Sequence, residues 1–254
     1  MPTFTGDDDL QGAEFRGANL SGARFVESDL TGVIMRGVEL ARADIDAPWL
    51  PFGEFLRING VDVTGFVEAE LDKRFPGRAQ RTAVDPVGLR EAWDSLQRTW
   101  DATLARVAAM PPGSVDLSVG GEWSFAQTLR HLVHATDMWL RKAVLEVEDP
   151  FHPIGQVDLG SSGEVDPSMF AREVPPYDEV LRVRAERATM VRDFIDSTTP
   201  EQLAEERRNP HDPDHPETVL KCLHVILEEE WEHHRFAVRD LDALSDGGGL
   251  GSQS

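Results

Sequence analysis

Residues 218–241 read TVLKCLHVILEEEWEHHRFAVRDL, and this segment decides the fold because it has the spacing of one long amphipathic helix. Its apolar positions recur at intervals of three and four, so they share one face. Glu230 and His234 interrupt that face one helical turn apart. Burying a carboxylate and an imidazole is costly unless both are paired. We therefore expect the two side chains either to bind one ion together or to satisfy each other by a core hydrogen bond.

Three earlier segments carry the same kind of helical pattern. Asp85-Pro86 is a start signal, and Ser124 with Gln127 three positions later forms a capping box. The predicted helices run from Asp85 to before Pro111, from Ser124 to about Leu145, and from Tyr177 to Asp196. Four amphipathic helices with one long crossover predict a mostly α-helical four-helix bundle over residues 85–243.

Two segments of this part fall outside the helices. Residues 146–175 form a long polar loop, and loops of that length in compact domains commonly serve as lids or binding loops. A lid over the bundle is therefore one hypothesis for this loop. Residues 244–254 are rich in Gly and Ser, which predicts a disordered tail.

The N-terminal region has a period of five residues, which neither a helix nor a flat strand produces. One phase holds large apolar residues: Leu10, Phe15, Leu20, Phe25, Leu30, Met35, Leu40 and Ile45. Repeats at a fixed period indicate stacked units around a shared apolar column. We assign residues 1–47 to this repeat and residues 48–84 to a connector, whose apolar content favours packing onto the bundle.

Composition excludes several classes of function. The net charge of −21 argues against direct binding of nucleic acid or an anionic membrane. No apolar run is long enough to span a bilayer, and the N-terminus lacks the features of a secretory signal. The single cysteine, Cys222, cannot form an internal disulfide, which is typical of a reducing cytoplasm. We expect a cytoplasmic protein.

A third candidate ligand lies on the second predicted helix. His131, Glu230 and His234 could converge inside the bundle and bind one divalent metal ion. Two imidazoles and a carboxylate are typical of hydrolytic zinc sites and of non-haem iron sites. Zinc is the first choice, and nickel, manganese and iron remain alternatives. His134 is a weaker candidate, and Asp137 and Glu229 are interpreted as solvated or as partners that orient an imidazole.

Both halves of the chain resemble known families. Ala18-Asn-Leu-Ser-Gly22 resembles the pentapeptide repeats, which implies a short right-handed quadrilateral β-helix acting as a cap or interaction module. Trp123-Ser124, with His131 eight residues after the tryptophan and His234-Arg235 at the end, resembles the DinB-like metal-binding bundles. Glu230 stands where that family has its first terminal histidine, which leaves the metal open. The fusion of the two parts resembles a group of actinobacterial proteins.

The resemblance implies a function that the residues alone do not. DinB-like relatives include thiol S-transferases, so we expect a metal-dependent transferase that joins a small thiol, such as mycothiol, to a small electrophile. A bound cation would favour the thiolate, so no protein nucleophile is required. Two alternatives stay open: a metal-dependent hydrolase using the same bundle, and a non-enzymatic scaffold with a structural or vestigial site. The resemblance also implies a homodimer, and the repeats are a candidate surface for a protein partner.

Overall fold

The structure is a computed structural model that describes residues 3–6, 8–157 and 166–247. The chain divides into two compact units, one ending at Arg42 and the other beginning at Ala43. The second unit is mostly helical, as the sequence predicts. The expected domain boundary at residue 47 therefore lies five residues beyond the division between the units.

The first unit repeats its backbone geometry every five residues. Positive φ angles recur in this phase at Gly12, Gly17, Gly22, Glu27, Gly32, Gly37 and Arg42. Turn hydrogen bonds join Ala13 N to Leu10 O and, ten residues later, Ala23 N to Leu20 O. The described residues of this unit form no β-strand. The large apolar side chains of the five-residue phase stay exposed, from 41% at Leu30 to 60% at Phe25. The five-residue period is thus present in the backbone, whereas a closed β-helix with a buried column is not confirmed.

The second unit begins with a small antiparallel hairpin and a short helix. Strands β1 (Arg57–Ile58) and β2 (Val61–Asp62) are joined by Asn59 and Gly60, which have φ angles of 52° and 83°. Both values are positive, as a two-residue turn of this type requires. Helix α1 (Thr64–Arg74) follows the hairpin.

Four longer helices build the bundle, and the last of them contains residues 219–241 of the amphipathic segment. The remaining helices are α2 (Pro86–Ala108), α3 (Phe125–Thr136), α4 (Tyr177–Ser197), α5 (Pro200–Leu203) and α6 (Val219–Gly247). Strands β3 (Glu206–Arg207) and β4 (Glu217–Thr218) pair antiparallel before α6. Short 3₁₀ turns occupy Leu50–Phe52, Arg78–Thr82, Ser114–Asp116 and Pro167–Met169.

The predicted helix starts are confirmed by their caps. The Asp85 carboxylate accepts from the amides of Val87 and Gly88 at 3.0 Å each. Ser124 and Gln127 form a reciprocal capping box at the start of α3. Such caps satisfy amides that have no partner within the helix and stabilise it by about 1 kcal/mol each. They also fix the rotational phase in which the following side chains leave the helix.

The second helix of the bundle changes type halfway along. An α-helix was expected to about Leu145, but from Asp137 to Val144 the chain continues as a π-helix. Its first residue, Asp137, is completely buried and pairs with Arg187 at 2.5 Å. Such wide turns within α-helices are frequent at functional sites.

The apolar core lies between α2, α3, α4 and α6. Its most buried members, each at most 1% exposed, include Leu89, Trp93, Leu96, Leu129, Leu132, Val180, Val183, Leu223 and Leu227. Each such side chain contributes about 1.5–3 kcal/mol by leaving water. This core places α3 and α6 side by side, and their facing residues make the site described below.

The connector is held to α6 by buried ion pairs. Arg78 and Arg81, only 2% and 7% exposed, both pair with Glu68 from α1. Arg81 also pairs with Glu228 of α6 at 2.6 Å, and Arg78 with Glu232 at 3.3 Å. Residues 48–84 therefore belong to the compact helical unit, as their apolar content suggests.

Two other expectations concern the ends of the described segments. The part of the proposed lid at residues 158–165 lies outside the described residues. In the predicted tail, residues 244–247 are the last turn of α6, and residues 248–254 lie outside the described residues. Within the described ranges, no helix combines the length and apolarity needed to cross a membrane.

Candidate metal centre

Two imidazoles and one carboxylate meet between α3 and α6. The cluster consists of His131 from α3 with Glu229 and His233 from α6, and one potential donor atom from each lies within 4.8 Å of the others. His131 Nε2 is 3.2 Å from Glu229 Oε2, and His233 Nδ1 is 3.3 Å from the same oxygen. Among the residues that the structure describes, this is the one group of three such side chains with metal-ligand spacing.

The local sequence explains why these side chains converge. Glu229 and His233 are four residues apart, so they leave the same face of α6 one turn apart. His131 lies in the second turn of α3, whose phase is set by the Ser124 cap. The cluster is shielded but not sealed, because the His131 side chain is 7% exposed and those of Glu229 and His233 are 14% exposed.

Backbone carbonyls hold both imidazole rings. His131 Nδ1 lies 3.1 Å from the carbonyl oxygen of Gln156, and His233 Nδ1 lies 2.9 Å from that of Glu229. A carbonyl only accepts, so a ring that makes this contact carries a hydrogen on Nδ1 and can offer only its Nε2 to an ion. His131 Nε2 then faces the Glu229 carboxylate either with a second proton or with a cation between them.

Aromatic rings form one wall of the cluster. The Trp123 ring centroid is 4.8 Å from that of His131 and 6.1 Å from that of His233, and the Trp123 and His233 rings are nearly parallel. Phe236 meets His233 edge-on at 5.6 Å. This wall reduces solvent access and limits the rotation of both imidazoles. Trp123 is thus a direct neighbour of the cluster.

The electrostatics of the cluster favour an ionised carboxylate. Burial raises the pKa of Glu229, but the hydrogen bond to His131 and the nearby imidazoles of His233, His131 and His211 outweigh it. The net result is a pKa below the ordinary value for Glu. Glu229 is therefore a carboxylate at neutral pH, which is the form that binds cations.

The donor set and its spacing fit a divalent metal ion. Neighbouring ligands of a tetrahedral ion, each about 2.1 Å from it, are about 3.4 Å apart. The 3.2 Å between His131 Nε2 and Glu229 Oε2 is close to that value. Three protein donors also leave coordination positions for a substrate, as in catalytic sites. His131, Glu229 and His233 are thus the residues that could hold the ion.

Only one of the three ligands expected from the sequence belongs to this cluster. His131 does, whereas Glu230 and His234 lie on the adjacent, more central face of α6. Glu230 is 1% exposed and is bonded through both oxygens to Arg184 of α4. The structure therefore groups His131 with Glu229 and His233 and not with the expected Glu230 and His234. A shift of one residue along a helix rotates the side chain by about 100°.

His234 has a different set of neighbours from His233. Its Nε2 lies 2.8 Å from the hydroxyl of Thr103, which itself donates to Thr99 O. The hydroxyl must then accept from His234, so the hydrogen is on Nε2. Trp100 meets the imidazole edge-on at 5.0 Å. Burial lowers the pKa of His234 to about 4, so this imidazole is neutral at physiological pH.

Glu229 was interpreted as solvated or as an orienting partner, and His233 was not predicted as a ligand, because the predicted ligands lie on the most apolar face of α6. Both pairs have the same spacing of four, so spacing alone does not choose between them. Glu229 and His233 differ from Glu230 and His234 by being partly exposed, and a site that a substrate can reach requires such exposure. Ligands are therefore expected one position away from the most buried stripe of a helix.

The remaining histidines and Asp137 have other surroundings. His134 is buried and stacks on Phe151 at 5.2 Å, next to the cluster but not within it. Asp137 is buried rather than solvated and accepts from the His152 amide at 2.8 Å. His211 contacts Trp139 at 5.4 Å on the loop before β4. His224 reaches the Ala83 carbonyl at 2.8 Å.

A separate cavity lies elsewhere on the helical unit. It has a volume of about 310 Å³ and is lined by Trp49, Phe52, Lys221, His224, Val225 and Glu228. The Lys221 ammonium already lies over the Phe52 ring, 4.6 Å from its centroid. No residue of the cluster lines this cavity.

The fold and the site together define a class of protein: a helical bundle with a His/Glu metal-type cluster between its second and last long helices. Comparison with known families agrees. Residues 95–237 match the DinB superfamily, and residues 9–45 match pentapeptide repeats in eight copies. The first match spans more than half of the chain, which belongs to the DinB superfamily. No curated protein and no solved structure matches the chain.

Proposed function

We propose that the protein is a metal-dependent transferase that joins a low-molecular-weight thiol to a small electrophile. The observation that carries this proposal is the shielded cluster of His131, Glu229 and His233, with three donors and partial exposure. A divalent ion bound there, zinc in the first instance, would lower the pKa of a substrate thiol and so supply a nucleophile.

The thiol has to come from the substrate. Cys222, the single cysteine of the chain, is 0% exposed and lies among the apolar residues of the core. Burial raises the pKa of its thiol to about 12. A buried thiol that stays protonated neither attacks an electrophile nor binds a metal. A low-molecular-weight thiol would supply the nucleophile that the chain lacks.

The residues around the cluster have distinct tasks in this proposal. The two imidazoles and Glu229 bind the ion, and the carbonyls of Gln156 and Glu229 keep the imidazoles in one orientation. Trp123 and Phe236 restrict water and provide an apolar surface for the electrophile. Holding a thiol and an electrophile together in such a site accelerates their reaction by proximity.

The test is a metal analysis of the purified protein followed by a conjugation assay. Zinc, nickel, manganese and iron are quantified, and monochlorobimane is mixed with glutathione or mycothiol and with metal-loaded protein. We expect about one ion per chain and thiol-dependent conjugation that a chelator abolishes. Glu229→Gln should lose both the ion and the activity.

The matched control is Glu230→Gln, which removes a charge from the neighbouring residue but leaves the cluster intact. It should retain metal at wild-type stoichiometry. Metal-dependent cleavage of ester or amide substrates without a thiol would indicate the hydrolase instead. Full metal loading with neither activity would favour a structural site in a scaffold.

We also propose that the repeats form a four-sided coil that contacts a protein partner or a second copy of the chain in the cytoplasm. Support comes from the positive φ angles in a five-residue phase and from the exposed apolar side chains of that unit. Deleting residues 1–42 should leave metal binding unchanged. It should alter the mass measured by light scattering if the repeats join two copies.

A further inference from the structure

Arg130, a buried arginine next to His131, is bonded to the backbone rather than to a carboxylate. Arg130 is 7% exposed, yet its hydrogen bonds among the described residues go to two successive carbonyls. Its Nε donates to Ile154 O at 2.8 Å, and its Nη2 reaches Gly155 O at 3.5 Å. Burying a guanidinium without a carboxylate is costly, and accordingly burial lowers the pKa of Arg130.

These bonds fasten the segment that holds His131. The Gln156 amide donates to Arg130 O at 3.2 Å, so Arg130 binds this segment with its side chain and its backbone. Gln156 O, the next carbonyl along, is the acceptor for His131 Nδ1. At the other end of the segment, the His152 amide is bonded to Asp137.

We infer that Arg130 is a positioning residue that sets the tautomer and orientation of His131 through the carbonyl of Gln156. The inference rests on the proposed metal function of the cluster. Arg130 fixes the peptide units of residues 154–156, and the fixed carbonyl requires a hydrogen on His131 Nδ1. His131 Nε2 then faces the Glu229 carboxylate, and it would give up its second proton when it binds an ion.

Arginine is the side chain suited to this task. Its planar guanidinium presents several N–H donors in a rigid fork, and it cannot lose its charge in the protein. Lysine offers a single nitrogen on a flexible stem and would reach one of the two carbonyls. Partners that orient metal-bound imidazoles typically change metal affinity by about 10- to 100-fold when they are removed.

The experiment uses Arg130→Met and Arg130→Lys in the full chain. Nitrogen-15 NMR of the metal-free protein reports the tautomer of each histidine, and titration with Co²⁺ reports affinity and geometry from the visible spectrum. We expect wild-type His131 to carry a hydrogen on Nδ1 in both the metal-free and the metal-bound protein. Arg130→Met should give a mixture of tautomers and bind Co²⁺ about 10- to 100-fold more weakly. Arg130→Lys should fall between the two.

The matched control is Arg184→Met, which removes another buried guanidinium from the same bundle but does not touch the 152–156 segment. It should lower stability and leave the His131 tautomer unchanged. If Arg130→Met does not fold, Arg130→Lys provides the same two readings.

The two hypotheses fail in different ways. An unchanged His131 tautomer and an unchanged Co²⁺ affinity in the Arg130 variants would overturn the positioning role. If the wild-type protein binds no Co²⁺, Zn²⁺ or Ni²⁺, the proposed function fails, while NMR on the metal-free protein still decides the role of Arg130.

Discussion

Helix α6 carries two Glu–His pairs with identical spacing that have opposite surroundings. Glu230 and His234 point to the centre of the bundle, where Glu230 is bonded to Arg184 and His234 Nε2 to Thr103. Glu229 and His233 point to α3, where they meet another imidazole and remain 14% exposed. The same two residue types therefore have a structural role in one pair and are suited to ligand binding in the pair one residue earlier.

The difference shows what distinguishes a polar core from a functional site. In the central pair, the described partners come from α2 and α4, and burial lowers the pKa of His234 to about 4. The outer pair, by contrast, forms a cluster with His131, in which the three side chains each have a potential donor atom within 4.8 Å of the others. Groups that could all bind one cation, with access from solvent, indicate a functional site, whereas buried groups that each bond to a different side chain indicate a structural role.

The largest change that would test the difference between the two pairs is a loss of stability on replacing Glu230. Glu230→Ala leaves Arg184 buried without its carboxylate, and breaking a buried pair in this way costs about 3–5 kcal/mol. Urea unfolding should show the loss. The metal stoichiometry of the folded fraction should stay at the wild-type value, because Glu230 is not part of the cluster.

The double variant Glu230→Leu with Arg184→Met is the control for that experiment. Replacing both partners with apolar side chains is often close to neutral, so it should recover most of the lost stability. A Glu230→Ala protein that is as stable as the wild type but free of metal would reverse the roles assigned to the two pairs.

The next effect is a dependence of stability on pH that comes from His234. Its pKa is about 4 when folded, against 6.5 ordinarily, so between these values the unfolded chain takes up a proton that the folded chain does not. Stability from this group is therefore complete above about pH 6.5 and is lost as pH falls towards 4. The loss is on the order of 3 kcal/mol.

Urea unfolding of wild type and His234→Gln at a series of pH values between 7.5 and 4.5 measures this contribution. The variant should be less stable at pH 7.5 and should depend less steeply on pH. Parallel pH profiles for the two proteins would show that His234 is not the titrating group.

A third effect compares the two histidines directly. His233→Ala should weaken metal binding by at least about 100-fold, equivalent to about 2.7 kcal/mol, because it removes a ligand. His234→Ala should bind metal with an affinity near that of the wild type while unfolding at lower urea. This order reverses the expectation from the sequence, and Zn²⁺ titration against a competing chelator tests it. Strong binding by His233→Ala with loss in His234→Ala would restore the original assignment.

The smallest effect is expected at the start of α3. Ser124→Ala removes the cap and should cost about 1 kcal/mol in urea unfolding. Since His131 lies two turns into the helix, metal affinity should fall by less than for any ligand variant. Ser124→Asp, which can also cap, is the control and should retain wild-type stability. A cap variant that loses metal as completely as His233→Ala would mean that the helix start, and not the ligand set, controls the site.

The sequence was sufficient for the helices, because periodicity and capping are local. Asp85 and Ser124 marked two starts correctly, and Leu223 and Leu227 lie on the buried face that their spacing predicts. The π-helix from Asp137 was not predictable by the same means. Its buried carboxylate depends on Arg187, a partner fifty residues away.

For the site, the sequence predicted that His131 and residues of α6 take part. It did not predict which of the two Glu–His pairs on α6 joins His131. Choosing between Glu229 and Glu230 requires knowing which face meets α3 and which meets Arg184, and this is a property of packing. The contact between the Gln156 carbonyl and His131 was not predictable either, because it depends on the path of the loop backbone and not on the Gln156 side chain.

The burial of Cys222 has a practical consequence. Because the chain has one thiol and the core covers it completely, a thiol-alkylating reagent can react only when the bundle opens. The rate of alkylation therefore reports how often the helical unit opens under native conditions. No label has to be engineered, and adding a metal ion that binds the folded state should slow the reaction in proportion to the stability it contributes.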